Sequence, residues 1–216
     1  MSTLQQLKRA GDIALWHDYR KGHAFDFSGN ANNGTLVNDP VFTRNGVLIP
    51  YFGLQAIQVP HSPSIDLSVL TVIALVQTSR VERDGNAARL FDKEDAVNGR
   101  SYSARFNIPV TRINAEGAVN GWWIVASRNF DGVKCFGLTL VSDSVNAPLY
   151  LDGIQIKSTM DSSDIYPSTV SDLYVGNVNT LNRGFGGTIS AFLIFNRVLT
   201  ETEHAQIFGE LMRGRQ

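Results

Sequence analysis

The chain is poor in the residues that usually announce a mechanism. It holds one cysteine, Cys135, in 216 residues, so no intrachain disulfide can form. No histidine or second cysteine stands near Cys135 at a metal-ligand spacing, and it reads as a small core hydrophobe on a strand. No stretch approaches ~20 uninterrupted apolar residues, so no membrane partner is expected. Met1 to Arg9 lacks the apolar run of a secretory signal. A cytoplasmic start is therefore expected, with any outside role reached by lysis, by assembly into a particle or by non-classical release. Nineteen Lys and Arg against twenty Asp and Glu leave a net charge of −1. That balance supplies no dense basic face for phosphates, so nucleic acid is not an expected partner. Gly-x-Ser-x-Gly, His-Glu-x-x-His and phosphate-binding glycine loops are all missing.

What is present is a pattern of short apolar runs between turn signals. Hydrophobic residues make up 43% and charged residues 18% of the chain, as in a soluble globular protein. Asn33-Gly34, Asn45-Gly46, Asp84-Gly85, Asn98-Gly99, Asn120-Gly121, Asp131-Gly132 and Asp152-Gly153 punctuate the runs. Runs bounded this way, with no helical period, predict an antiparallel all-β fold. Asp152-Gly153 predicts a two-residue hairpin turn, because both central residues of a type I′ turn need positive φ. Thr71 to Val76 and Ile189 to Phe195 are apolar on both faces and are expected to be central strands covered on both sides.

Only the ends read as helices. Ser2 to Ala10 has Ser2 or Thr3 as a capping residue, Leu4 and Leu7 on one side, and Gly11 as a stop; it is expected to dock on its own domain or on a partner. Thr200 to Glu203 is a capping box that opens a helix from about Glu201 to Met212. The expected organisation is an N-terminal helical arm at 1–12 and one sandwich at 13–216 that includes the C-terminal helix.

Four segments carry a resemblance. They are His23 to Asn30 with Asn33-Gly34-Thr35-Leu36, Ala56 to Leu67, Trp122 to Ile156, and Gly187 to Thr200. In this order they resemble the laminin-G-like jelly rolls of the concanavalin A-like lectin and glucanase superfamily. The resemblance implies a two-sheet antiparallel jelly-roll sandwich with a short N-terminal helix and a C-terminal helix. It implies binding more often than chemistry, although fold alone does not fix function.

The resemblance also sets the tests. The glucanase branch carries two glutamates on one strand face, in a Glu-x-Asp-x-x-Glu pattern. Here Glu82, Glu94, Glu116, Glu201, Glu203 and Glu210 are the only glutamates and none fits, so no enzyme is expected. Asp92, Glu94 and Asp95 come closest and are expected in a solvated loop. Related domains often hold calcium near the opening segment, which makes Asp26 and Asn30 candidate metal ligands. The competing reading is a turn built from local hydrogen bonds. Trp122 and Trp123 alternate across a strand, so one is expected to face outward. There it could stack on a sugar or pack under a neighbour. His17, His23, His61 and His204 show no ligand spacing and are expected in loops or at the surface. Two functions remain. One is a non-catalytic structural or surface-display protein, such as a phage virion component in a homo-oligomer or capsid or tail lattice. The other is a free carbohydrate-binding module, with calcium as its candidate cofactor, that meets cell-surface glycans.

Overall fold

In a computed structural model the described residues are 1–51, 53–78, 88–95, 99–107, 112–117, 126–127, 132–141, 148–157 and 171–214. Among them are two helices, α1 (Thr3–Ala10) and α2 (Glu201–Arg213), and fifteen strands. In chain order the strands are β1 (Ile13–Asp18), β2 (Thr35–Val37), β3 (Val41–Thr43), β4 (Gly46–Ile49), β5 (Ala56–Val59), β6 (Val69–Thr78), β7 (Ala88–Asp95) and β8 (Gly99–Asn107). Then follow β9 (Arg112–Gly117), β10 (Ala126–Ser127), β11 (Val133–Val141), β12 (Leu149–Leu151), β13 (Ile154–Lys157), β14 (Leu173–Val175) and β15 (Gly187–Phe195). One sheet has the order β13-β12-β11-β6-β15-β4-β3, with β1 also paired to β15; the other runs β10-β9-β8-β7-β14-β5-β2. Every described pairing is antiparallel.

The two sheets close on a shared core. Leu70, Val72, Ala74 and Val76 of β6, Phe136, Leu138 and Leu140 of β11, and Phe192 and Ile194 of β15 point into it. The opposite faces of the same strands are equally apolar. Ile73, Leu75, Cys135, Ala191, Leu193 and Phe195 meet Leu4 and Leu7 of α1 and Ile207 and Leu211 of α2. The helices thus form a third layer over the first sheet, and the expected two-sided burial of β6 and β15 is met. Each such aliphatic side chain contributes ~1.5–3 kcal/mol on burial. Cys135 belongs to this second core, where burial pushes its thiol pKa up.

The helix ends follow their local chemistry. Ser2 accepts from the Gln5 amide, and Gly11 closes α1 at φ 79°. At the other end of the chain Thr200 and Glu203 form the expected capping box. The second helix also caps the first, since the Glu210 carboxylate accepts from the Thr3 and Leu4 amides at the start of α1. The expected arm at 1–12 is therefore packed onto the sandwich.

One glycine sets how α2 lies. Gly137 is on the outer face of β11, opposite Tyr150 of β12. The His204 ring fills the space a side chain would take and stacks on Tyr150, with ring centroids 3.7 Å apart and planes at 12°. A Cβ at Gly137 would stand 2.8 Å from His204 Nδ1. The Asp152-Gly153 turn takes positive φ at both residues, 53° and 79°, and a Cβ on Gly153 would meet the Ala205 backbone at 2.9 Å.

Several expectations are corrected. His17 and His204 are buried, at 0% and 2% exposure, because each ring fills a gap in a packed layer. Asp92 is also buried, at 1% exposure, and 92–95 continue β7 where a solvated loop was expected. The pairing of β7 with β8 extends through this stretch, and Asp92 accepts from Arg89 at 3.0 Å. The short edge strands β2 and β3 were not foreseen.

Gly137→Ala is expected to cost ~1–3 kcal/mol, the usual penalty of overpacking. Combined with His204→Ala it should cost less than the two single changes added together. Urea unfolding of the four proteins measures this, and strict additivity would show that the ring does not depend on the missing side chain.

Candidate functional site

An aromatic pocket lies beside the first strand of the sandwich. Along β1 the side chains alternate: Leu15 joins the inter-sheet core, whereas Trp16 packs against the helix-side core. Trp16 is opposite Leu193 and Asp18 opposite Ala191, both on the outer face of β15. Gln5 and Lys8 of α1, Trp16 and Asp18 of β1, Lys21 of the following turn, and Phe27 enclose about 230 Å³. The rings of Trp16 and Phe27 are 6.0 Å apart at 60°. Phe27 also neighbours His23 at 5.6 Å, and His23 stacks on Phe25 at 4.4 Å. Phe25 is 61% exposed, so a stepped row of rings runs from the pocket to the surface. The Trp16 indole nitrogen is buried and has no hydrogen-bond partner among the described residues.

The loop that presents Phe27 is tied down by Asp26. Its Oδ1 accepts from the Trp16 and Ser28 amides, each at 2.9 Å. Its Oδ2 accepts from Ser28 Oγ at 2.7 Å and the Asn32 amide at 3.0 Å. Asn30 donates through Nδ2 to the Ile13 and Ala14 carbonyls at 2.9 and 3.0 Å. The Phe27 amide donates to the Trp16 carbonyl at 2.8 Å, which fixes the two aromatic residues beside each other.

This geometry does not fit calcium at Asp26 and Asn30. Calcium takes six to eight oxygen ligands, whereas both Asp26 oxygens already accept two N–H or O–H bonds each, and Asn30 faces its strand through a donor nitrogen. No group of three or more His, Cys, Asp or Glu residues among the described residues is placed to hold a metal. The turn reading of this loop accounts for its bonds. Trp122 and Trp123 lie outside the described residues.

The charges at the pocket are uneven. Arg20 grips Asp18 with two bonds, Nε to Oδ1 at 2.6 Å and Nη2 to Oδ2 at 2.9 Å. Its Nη1 donates to the Leu211 carbonyl of α2 at 2.9 Å. The one carboxylate of the pocket is therefore matched by its own guanidinium. Lys8 and Lys21 have no ion-pair partner among the described residues.

Beneath the pocket, His17 is held between Tyr19 Oη (Nδ1, 3.0 Å) and the Asn32 carbonyl (Nε2, 2.9 Å). A carbonyl can only accept, so Nε2 carries the proton and Nδ1 accepts from the tyrosine. Burial lowers the His17 pKa, and neither contact restores it.

The outer face of the second sheet carries a different polar group. Asp92 pairs across strands with Tyr174 and Ser103, and Arg89 and Asp92 are each 1% exposed. Gln58 donates to Asp172 at 2.5 Å. Arg89, Asp92 and Ser103 are buried, whereas Gln58 and Asp172 are half-buried, so this polar group orders the sheet from its outer face.

A laminin-G-type family model, described as concanavalin A-like lectin/glucanases superfamily, matches residues 53–203, and the chain belongs to this superfamily. The pocket residues precede the matched stretch. No curated protein matches the sequence. Among solved structures, the binding domain of Paraclostridial Mosquitocidal Protein 1 is similar, with TM-score 0.69, 18% identity, and coverage of 95% of this chain and 53% of that one. Domain 4 of AbnA, an extracellular arabinanase of Geobacillus stearothermophilus, in complex with arabinotriose, gives TM-score 0.63 and 15% identity, covering 91% and 98%. Trypanosoma rangeli sialidase with 2,3-difluorosialic acid gives TM-score 0.67 and 13% identity over 91% of this chain. The chain spans about a third of that sialidase, 33%.

Sequence reasoning passed over the pocket. Phe25 and Phe27 were in view as part of the opening segment, but that segment was read for Asp26. The available signal was Trp16 two residues from Asp18 on an alternating strand, followed by three aromatic or imidazole rings within five residues.

Both buried histidines make the fold sensitive to acid. Burial holds His204 at about 4 and lowers His17 as well, against about 6.5 unfolded. Their contribution is intact above pH 6.5. It falls as the pH drops toward 4, because the unfolded chain takes up protons that the folded one refuses. The unfolding free energy from urea titration should decline over this window, by up to roughly 3 kcal/mol from His204. His204→Gln should flatten part of the decline, and an unchanged slope would refute its role.

Proposed function

We propose that the chain is a non-catalytic carbohydrate-binding module that holds a sugar in the α1–β1 pocket. The carrying observation is the pairing of Trp16 with Phe27 in a small cavity edged by Gln5, Asp18, Lys8 and Lys21. Aromatic faces suit the apolar face of a sugar ring, and a few convergent polar groups orient it. At about 230 Å³ the cavity is below the ~300–1,000 Å³ of drug-sized sites, which suits a sugar ring at a chain end. Support also comes from the similar domain of the arabinanase, whose structure contains arabinotriose and which this fold matches over 98% of its length. The carboxylates at the pocket favour the non-catalytic reading. Glycoside hydrolysis uses a pair of them, whereas the lining residues include Asp18 alone, already paired with Arg20.

Retention on a panel of immobilised polysaccharides tests this reading. The protein should bind at least one of them. Phe27→Ala should weaken that binding about tenfold, the equivalent of ~1.4 kcal/mol, and a calcium chelator should leave it unchanged. Binding that ignores Phe27→Ala, or that chelation abolishes, would reject the pocket.

A second reading, display within a larger assembly, has its own observation. The sheets end in the short strands β2 and β3, which leave Leu36 42% and Val41 59% exposed, with Leu48 opposite Val41 at 37%. Exposed apolar edges suit a protein partner. Light scattering should then give an oligomer that Leu48→Lys dissociates, and a monomeric parent would count against self-assembly.

A further inference from the structure

We infer that the α1–β1 pocket selects sugars that carry a negative charge. This rests on the carbohydrate reading of the same pocket and adds the class of ligand. Three charged side chains line the cavity, Lys8, Asp18 and Lys21. Asp18 is fully engaged, since Arg20 covers both of its oxygens, and Arg20 is anchored in turn on the Leu211 carbonyl. That acid is thus unable to balance the lysines, and both ammonium groups remain in excess over an aromatic wall. Lys8 is half-buried and Lys21 exposed.

A neutral sugar would leave these cations solvated and unused. A carboxylate or sulfate on the ring edge, with the ring face on Phe27 and Trp16, would meet them by charge-assisted hydrogen bonds. The two sources share one chemistry, a single anionic substituent on a sugar. The low dielectric of the aromatic wall strengthens the attraction. At ~0.1 M salt the screening length is about 10 Å, so a charge seated in the pocket still senses both lysines.

The test uses ligand-observed NMR, which reads millimolar binding, on the full chain. The probes are matched methyl glycosides of glucose, galactose and mannose in three forms: neutral, 6-carboxylate and 6-sulfate. At low salt at least one acidic form should bind about tenfold more tightly than its neutral counterpart. The Lys8→Gln/Lys21→Gln variant should lose that preference, so that it binds acidic and neutral forms alike; neither lysine has an ion-pair partner among the described residues, so the variant should fold. A preference for the carboxylate alone or the sulfate alone upholds the inference and names the source. Equal binding of neutral and acidic forms overturns charge selection and leaves the carbohydrate module standing. A preference that survives in the double variant also overturns it, by placing the cation elsewhere. If no sugar of any charge binds and Phe27→Ala changes nothing, both the inference and the module fall.

Discussion

The constraint on which the rest depends is that β6 and β15 are apolar on both faces. A sandwich covers one face of each sheet. Here the other face of the first sheet carries Ile73, Leu75, Leu193 and Phe195, which in water would form a contiguous apolar patch of the kind soluble monomers rarely expose. The chain covers it with segments from its two ends, α1 and α2. Neither helix is long enough to be stable alone, so each is held by the sheet it covers. The sheet needs the helices to hide its apolar face, and the helices need the sheet to be helices.

That dependence explains where polar contacts occur. They gather at the border of the helical layer, where packing alone would leave helix ends unsatisfied. Glu210 receives the first amides of α1, Arg197 bridges Asp12 and Glu203 at the corner between strand and helix, and Arg20 joins Asp18 to the end of α2. The Arg197 bond holds Glu203 ionised down to about 2, so this corner stays charged through the range in which the histidines titrate. The apolar layer supplies the energy and this ring of charges supplies the register.

Much of this was legible in the sequence. The capping box at Thr200, the Gly11 stop and the Asp152-Gly153 turn are local chemistry, and each formed as read. The two-faced strands were legible because uninterrupted apolar runs exclude a solvated side. What escaped were features made by distant contacts. His17 and His204 look like surface residues until Asn32 and Gly137 are brought beside them. Asp92 looks solvated until β8 and β14 close around it. Asp26 looks like a cation ligand because a carboxylate among Ser and Asn has the right atoms. Its role was decided by donors, and those come from the backbone of Trp16 and Asn32, which no side-chain pattern displays.

The same donors explain why the pocket forms at the start of the chain. β1 is paired to β15 outside the main strand path of its sheet, and among the described residues its other edge carries only the isolated bridge from His17 to Asp26. The segment after β1 must return over that edge, and Asp26 bends it back so that the Phe27 amide reaches the Trp16 carbonyl. α1 stops at Gly11 just before β1 begins, and its polar side, with Gln5 and Lys8, overhangs the same edge. A helix that ends early, an edge strand and a knotted loop leave a hollow that none of them can fill, walled by aromatic rings and rimmed by lysines. The bonds that displace the expected cation from Asp26 are thus the bonds that hold the pocket open.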